Sequence, residues 1–451
     1  MQFELTKTYL EQLKAAIQDA HAQFILDQIA ELHAADIAEI LDALNKYEAE
    51  YLYQLIEEEE KAADVLIELE DERREELLSS LSSKEIADQV IENIESDDAA
   101  DVIGELSEEK KEEVISHIED HEQASDIVDL LQYDENTAGG LMAKEMVVVN
   151  QNWTITHCLR EMRKQAEDLD DVYAVYVIDD ASKLLGLLSL SKMLVSPSSA
   201  IISDIYDKEL QSVTTDEEAE EVGNIMDKYD LVVLPVVDES GILQGRITID
   251  DVVEVIKEEA EKDYQMASGI SEDVESTDSI LDLTRARLPW LMIGLVGGVL
   301  GAKVIGAFDI HENIEMALFI PLIAAMGGNV GVQSAAIVVQ GLANKSIGVD
   351  SIFEKLIKEL GVALLNGLIC SVLILSIAMA LGYGIFLSLT VGIALLSVIV
   401  FAALFGTFVP LVLDRYDIDP ALATGPFITT VNDILGLMLY FLIGQMVALI
   451  I

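Results

Sequence analysis

The charges of this chain nearly stop at Thr284. Of its 82 acidic and 27 basic residues, only 10 acids and 7 bases lie from Thr284 onward. The 283 residues before it carry 72 and 20, a net of −52. A chain divided in this way cannot bury its second part in water. Five apolar stretches, 288–308, 314–342, 357–381, 385–413 and 421–451, each reach the roughly 20 residues that a bilayer demands of a helix. The expectation is an acidic water-soluble half followed by five membrane helices.

The loops give an orientation. With the acidic half inside, the first loop, 309–313, lies outside and has no Lys or Arg. The second holds Lys345 and Lys355, with Lys358 just after, and lies inside; the third, near 382–384, is uncharged and lies outside. Arg415 is in the fourth, and Arg285 and Arg287 stand at the first helix, all on the inside. That is the positive-inside pattern. An odd number of spans puts the C-terminus outside. Residues 1–20 are amphipathic and charged, unlike a secretory leader, so the soluble half is expected in the cytoplasm. Its acidity argues against nucleic acid and anionic lipid as ligands and favours metal cations. Two cysteines, Cys158 and Cys370, offer neither a disulfide framework nor zinc spacing.

Asp433 is the one acidic or basic residue between Ala421 and Ile451. A carboxylate near mid-bilayer costs about 2.5–3.5 kcal/mol, so it is rarely there without a role. It closes the run Asp419-Pro420-Ala421-Leu422-Ala423-Thr424-Gly425-Pro426-Phe427-Ile428-Thr429-Thr430-Val431-Asn432-Asp433. Prolines, a glycine and threonines predict a helix with a break and spare oxygens, where a cation sheds part of its water. The second span is expected to break too, at Pro321 and through Met326-Gly327-Gly328-Asn329-Val330-Gly331-Val332-Gln333-Ser334. Glycines there permit close packing or turn carbonyls to a cavity. Glu315 and Glu359 lie near span ends, where solvated positions are expected.

In the soluble half, residues 1–131 predict short amphipathic helices. A small-Asp-apolar unit recurs at Ala35-Asp36, Ala63-Asp64, Ala87-Asp88, Ala100-Asp101 and Ser125-Asp126, and each unit reads as a helix start with Asp favoured by the dipole. The units suggest a helical superhelix. Then comes a turn-rich linker, Asn136-Thr137-Ala138-Gly139-Gly140-Leu141-Met142, followed by a duplication. Strand-like runs at 172–179 and 184–189 return at 230–238 and 242–248. Each copy is a strand ending in Asp, a turn, a strand through Gly, then a helix. Over 138–260 this resembles a tandem pair of cystathionine-β-synthase (CBS) domains. In such domains Ser/Thr-x-x-Asp after the glycine strand often holds a nucleotide ribose. Thr248-Ile249-Asp250-Asp251 fits; Ser189-Leu190-Ser191-Lys192 has Lys where Asp is expected. Adenine nucleotide binding at Thr248 and Asp251 therefore stays open beside simple helix capping.

The whole order resembles the MgtE family of magnesium channels and transporters. Carrying it are Asp-Pro-Ala-x-Ala-x-Gly-Pro-Phe-x-Thr-Thr-x-Asn-Asp in the fifth span and Gly-Gly-Asn-x-Gly-x-Gln in the second. The resemblance implies a multi-domain membrane protein: an all-α superhelical N-domain (1–131), α/β tandem CBS domains (132–200 and 201–252), a connecting helix and linker (253–283), and a five-helix α transmembrane domain (284–451). It implies no enzyme but a homodimer in the inner cell membrane, among lipid, that imports Mg2+ along a path at its two-fold axis. There Asp433 of each subunit binds the ion, and Gly328, Asn329, Gly425, Ile428, Thr429 and Asn432 line the path. It also implies a cytosolic Mg2+ sensor that closes the channel. Its acids are Asp97 and Asp101 in the N-domain, Glu218, Glu220, Asp230 and Asp251 in the second CBS unit, Glu254, Glu259 and Asp263 in the connecting helix, and Asp419 at the last span. Lys262 stands where that helix commonly has an acid. A sodium-coupled Mg2+ exchanger and a nucleotide-sensing receptor with an inert anchor are the other readings.

Overall fold

A computed structural model describes residues 3–166, 169, 172–271, 274, 279–308, 314–343, 352–416, 418–423 and 425–450. The outer loop 309–313 and Lys345 lie outside the described residues. The chain forms two compact units, Met1–Ile256 and Lys257–Ile451.

The first unit begins with helices α1 (Lys7–Gln18), α2 (Ala22–Ile29), α3 (Ala34–Asp42), α4 (Lys46–Tyr53), α5 (Glu59–Ile67), α6 (Asp71–Ser80), α7 (Ser83–Gln89), α8 (Ser96–Gly104), α9 (Glu108–His117) and α10 (His121–Leu130). Each is too short to be stable alone in water, so each needs its neighbours to cover its apolar face. Ile25, Ile37, Leu52, Leu66, Ile86 and Ile103 are fully buried and stack into one core. Capping boxes at Asn45 with Glu48 and at Ser82 with Glu85 fix two of the starts. The small-Asp-apolar unit is a start only in α3. Asp64, Asp101 and Asp126 fall inside α5, α8 and α10, and Asp88 falls at the end of α7. The motif tracks burial instead: Ile37, Val65, Val102 and Ile127, each two residues after the small one, have at most 2% exposure.

The CBS pair is shared between two three-stranded sheets. In the first, β1 (Val147–Asn150) lies parallel to β2 (Val175–Ile178), which pairs antiparallel with β3 (Leu184–Leu187). In the second, β4 (Val213–Thr214), β5 (Val233–Val237) and β6 (Leu243–Thr248) repeat that order. Both copies slip register at the same place, between Val177 and Ile178 and between Val236 and Val237. Helices α11 (Ile155–Gln165) and α12 (Leu190–Val195) serve the first copy; α13 (Ala219–Tyr229) and α14 (Ile249–Ala267) serve the second. The supposed linker is part of the fold. Ala138 and Gly139 donate to the carbonyls of Glu217 and Thr215, and Ala143 pairs with Arg246 of β6. Glycine is needed at 140, where a Cβ would stand 2.5 Å from the Asp134 carbonyl. Met226, Leu234, Ile247 and Val252 of the second copy join the helical core, whereas the first copy keeps its own around Val149, Val175 and Val177.

Among its described residues the second unit holds the end of α14 and the helices α15 (Ile280–Ala307), α16 (Ile314–Ala317), α17 (Ile320–Ala343), α18 (Ile352–Ala380), α19 (Ile385–Arg415) and α20 (Gly425–Ile450). Among the described residues five spans are long and apolar enough to cross a membrane, with α16 and α17 sharing one. Of these α19 is the most buried and α15 the least. In the second span the break is not where the glycines are. Leu318 and Phe319 interrupt the second span before Pro321, and a 3-10 turn, Pro420–Ala423, precedes the fifth. Pro321 and Pro426 each stand second in a helix, where the missing N–H removes no bond. Helix α17 runs unbroken through Gly327, Gly328 and Gly331, because those glycines admit other helices rather than bend their own. The Tyr440 hydroxyl donates to the Met316 carbonyl at 2.9 Å across the first break. Glu359 is not simply solvated: it accepts a 2.7 Å bond from Ser334, a residue with 4% exposure on α17.

The tightest helix contact makes a prediction. A Cβ on Gly406 would stand 2.3 Å from the Gly331 carbonyl oxygen. Backbone cannot swing aside as a side chain can, so Gly406→Ala should destabilise the membrane half by about 1–3 kcal/mol. Thermal unfolding of the purified protein in detergent will read this; an unchanged midpoint would mean that the helices slide freely there.

Candidate ion path and acidic cluster

Asp433 sits in the third turn of α20, half-buried in continuous helix. Its Oδ1 is 3.9 Å from where a Cβ on Gly328 would stand, and the Thr429 methyl is 2.9 Å from the same point. The Thr429 hydroxyl is held by the Gly425 carbonyl at 2.7 Å. Gly328, Thr429 and Asp433 thus share one side. Asn329 is exposed. The side chains of Ile428 and Asn432, at 0% and 1% exposure, meet α17 at a different glycine, Gly331. Asn432 donates to the Gly327 carbonyl at 3.4 Å, and among the described residues its buried Oδ1 has no partner. A lone buried acceptor costs about 1–3 kcal/mol.

The end of α14 meets the start of α20. Gly425 has φ +44, and a Cβ on it would lie 2.3 Å from the Ala267 carbonyl oxygen. Gly269 has φ +82, and a Cβ there would lie 2.4 Å from Pro426 Cγ. Both positions require glycine twice over, for conformation and for space. Nearby, Asp419 accepts from the Ala421 N–H at 2.8 Å and so caps the 3-10 turn. On α14, Glu259 pairs with Lys262 at 3.1 Å, and Asp263 is half-buried.

In the other unit a carboxylate cluster has formed at the start of α8. Asp97 is 8% exposed, and burial raises its carboxyl well above the usual range, helped by Asp98, Asp251 and Glu95. Burial, then Asp251, Asp101, Glu95 and Glu254, lift Asp98 to about 7. Burial, then Glu135, lift Asp101 to about 7 against the pull of Arg74. Burial raises Asp251 too, although the Thr248 hydroxyl, 2.5 Å away, favours its charge. Arg246, 4% exposed, reaches Glu95 at 2.5 Å and the Glu145 carbonyl at 2.6 Å. Glu145 in turn accepts from the Ser96 hydroxyl at 2.7 Å. A cation would relieve this crowding. Among the described residues no three acidic, histidine or cysteine side chains converge on one metal position.

Of the acids expected to act as sensors, Asp97, Asp101, Asp251 and Glu254 come together. Glu218, Glu220 and Asp230 do not: they are exposed at opposite ends of α13. Asp98, Glu95 and Arg246 complete the cluster and were missed by sequence reasoning. The run Glu95-Ser96-Asp97-Asp98 was the available signal for the first two; Arg246 lies on a strand face that alternation alone does not pair with α8.

The cluster makes stability depend on pH. Unfolded, these carboxyls titrate near 4; folded, Asp98 and Asp101 titrate at about 7. The folded state holds more protons in between, so their contribution is complete below about pH 4 and lost as pH rises through about 7. Calorimetry of the full-length protein without divalent ions should show the cytoplasmic transition falling over that window, and added Mg2+ should flatten the slope. A transition that rises with pH would contradict this electrostatic account.

Comparison with known proteins agrees with this arrangement. The MgtE divalent cation transporter family profile matches residues 320–443, the MgtE intracellular N domain matches 32–136, and CBS domains match 138–196 and 202–258. The magnesium transporter MgtE of Thermus thermophilus is 34% identical over 319 residues, covering 70% of this chain and 71% of that protein. That of Enterococcus faecalis is 34% identical over 320 residues, covering 70% of each. The solved cytosolic domain of the Mg2+ channel MgtE in complex with ATP is 31% identical with a TM-score of 0.50, covering 55% of this chain and 99% of that one. Intracellular helical domain, CBS pair and membrane helices with an acid in the fifth span stand in one order, and the chain belongs to the MgtE family of divalent cation transporters.

Proposed function

We propose that this protein imports Mg2+ through a homodimeric channel gated by cytosolic Mg2+. The observation that carries the reading is Asp433, a half-buried carboxylate in an apolar, unbroken helix, within a family of divalent cation transporters. One carboxylate is a poor divalent site. Two, one from each subunit at a two-fold axis, make a credible one. At about 4 Å they would repel by about 4 kcal/mol at an effective dielectric of ~20, and a divalent ion removes that cost. The relatives' magnesium transport supports Mg2+ as the cargo.

The acidic cluster supplies the gate's sensor. When cytosolic Mg2+ is scarce, Asp97, Asp98, Asp101, Asp251 and Glu254 repel one another. When it is plentiful the ion favours the closed arrangement, a two-state element biased by a ligand that binds one state better. Glu218, Glu220, Asp230, Glu259, Asp263 and Asp419 would act as a more distant acidic field. The contact of Gly269 with Pro426 would pass the change from the end of α14 to the helix that carries Asp433. Adenine nucleotide is a second proposed ligand of the CBS pair, supported by the ATP complex of the related cytosolic domain. Thr248 and Asp251 are its ribose contacts in this reading. Lys192 is less suited in the first copy, where it pairs with Asp207.

Asp433→Ala and Asp433→Asn should both abolish Mg2+-dependent growth of a strain lacking other importers. Growth equal to wild type on low magnesium would end the reading of Asp433 as the ion site. Gly269→Ala should leave conduction intact but weaken closure, so that patch recordings show current persisting at cytosolic Mg2+ levels that silence the wild type. Unaltered closure would mean that the contact does not transmit the signal.

A further inference from the structure

Asn432 stands one residue before the proposed ion ligand, and its side chain meets α17 at Gly331 while Asp433 lies beside Gly328. Its side chain is 1% exposed. It fills the notch left by Gly331, where a Cβ would lie 1.9 Å from Nδ2. Its amide reaches across to the Gly327 carbonyl of α17 at 3.4 Å. Its Oδ1 has no hydrogen-bond partner among the described residues. An apolar side chain would fill this notch without leaving a buried acceptor unpaired, so packing alone does not explain an amide here. What the amide adds is direction. Successive residues of a helix point about 100° apart, so fixing Asn432 against α17 also fixes where Asp433 points. The neighbouring contacts agree: Ile428, one turn before, lies against Gly331, and Thr429 lies against Gly328 beside Asp433.

We infer that Asn432 is the positioning residue of the ion site: its amide, bonded to the Gly327 carbonyl in the Gly331 notch, locks the rotation of α20 so that the Asp433 carboxylate faces the cation. It touches no ion itself and acts through Asp433. The inference rests on the reading of Asp433 as the Mg2+ ligand. Outer groups that orient a metal ligand typically alter metal affinity by about 10–100-fold when removed.

The test uses the full-length protein in liposomes loaded with a Mg2+-sensitive dye, with external Mg2+ varied. Asn432→Leu fills the notch without a donor. Asn432→Ser is small, and its hydroxyl can bond the Ile428 carbonyl of its own helix instead of α17. Both should raise half-saturating Mg2+ by about 10–100-fold while maximal flux and the unfolding midpoint change little. Asp433→Ala, measured beside them, should carry no flux. Wild-type half-saturation in either folded variant overturns the inference, as does a loss of flux that merely follows a loss of folded protein. If Asp433→Ala transports normally, the parent reading fails instead, so the two failures are distinct. Should Asn432→Leu not fold, Asn432→Ser decides the question alone.

Discussion

Gly331 touches two other helices at once, and the membrane half depends on that double contact. Its carbonyl lies against Gly406 of α19, and its missing side chain leaves room for Ile428 and Asn432 of α20. In a bilayer, helices gain little from hiding apolar surface, since lipid tails are as apolar as leucine. Close approach of backbones has to supply the attraction. Three helices brought this near to one glycine have little freedom to rotate. That rigidity is what a single carboxylate needs if it is to face a narrow path and not lipid.

The cytoplasmic half solves the opposite problem. Its surface repels itself, with a net of −52 over 283 residues, yet it folds. The apolar core of α1–α10 continues into the second CBS copy through Met226, Leu234 and Ile247, and burial of that surface opposes the repulsion. Charge is balanced locally where it is most costly. Arg246 anchors Glu95, Lys144 anchors Asp129, and Arg74 draws in Glu105. Among the described residues Asp97 and Asp98 have no such partner and are left crowded. The fold holds the cluster in place without neutralising it, a suitable condition for a group that must respond to an outside cation.

Much of this was legible in the sequence, for physical reasons. Period and length marked the five spans and the amphipathic helices. The duplicated strand-turn-strand pattern marked β2, β3, β5 and β6. The parallel strands β1 and β4 were missed because runs such as Val213–Thr214 are too short to show alternation. Asp64 and Asp101 were misread as helix starts because Asp is tolerated inside a helix when its neighbours are buried. The glycines of the second span were misread as a break because sequence cannot distinguish a glycine that bends its own helix from one that admits another. Asp433 stood out by its cost alone. Asn432 did not reveal its direction, since which face of α20 meets α17 is a tertiary fact.

The bond from Tyr440 to Met316 joins residues 124 apart in the chain. Its consequence concerns biosynthesis. As the chain emerges from the ribosome, the second span reaches the bilayer long before Tyr440 has been made. The turn at Leu318 and Phe319 must wait, its Met316 carbonyl meanwhile accepting the Phe319 N–H. The last span to be translated therefore finishes the second, and a nascent chain stopped before Tyr440 would leave that turn without its cross-helix bond.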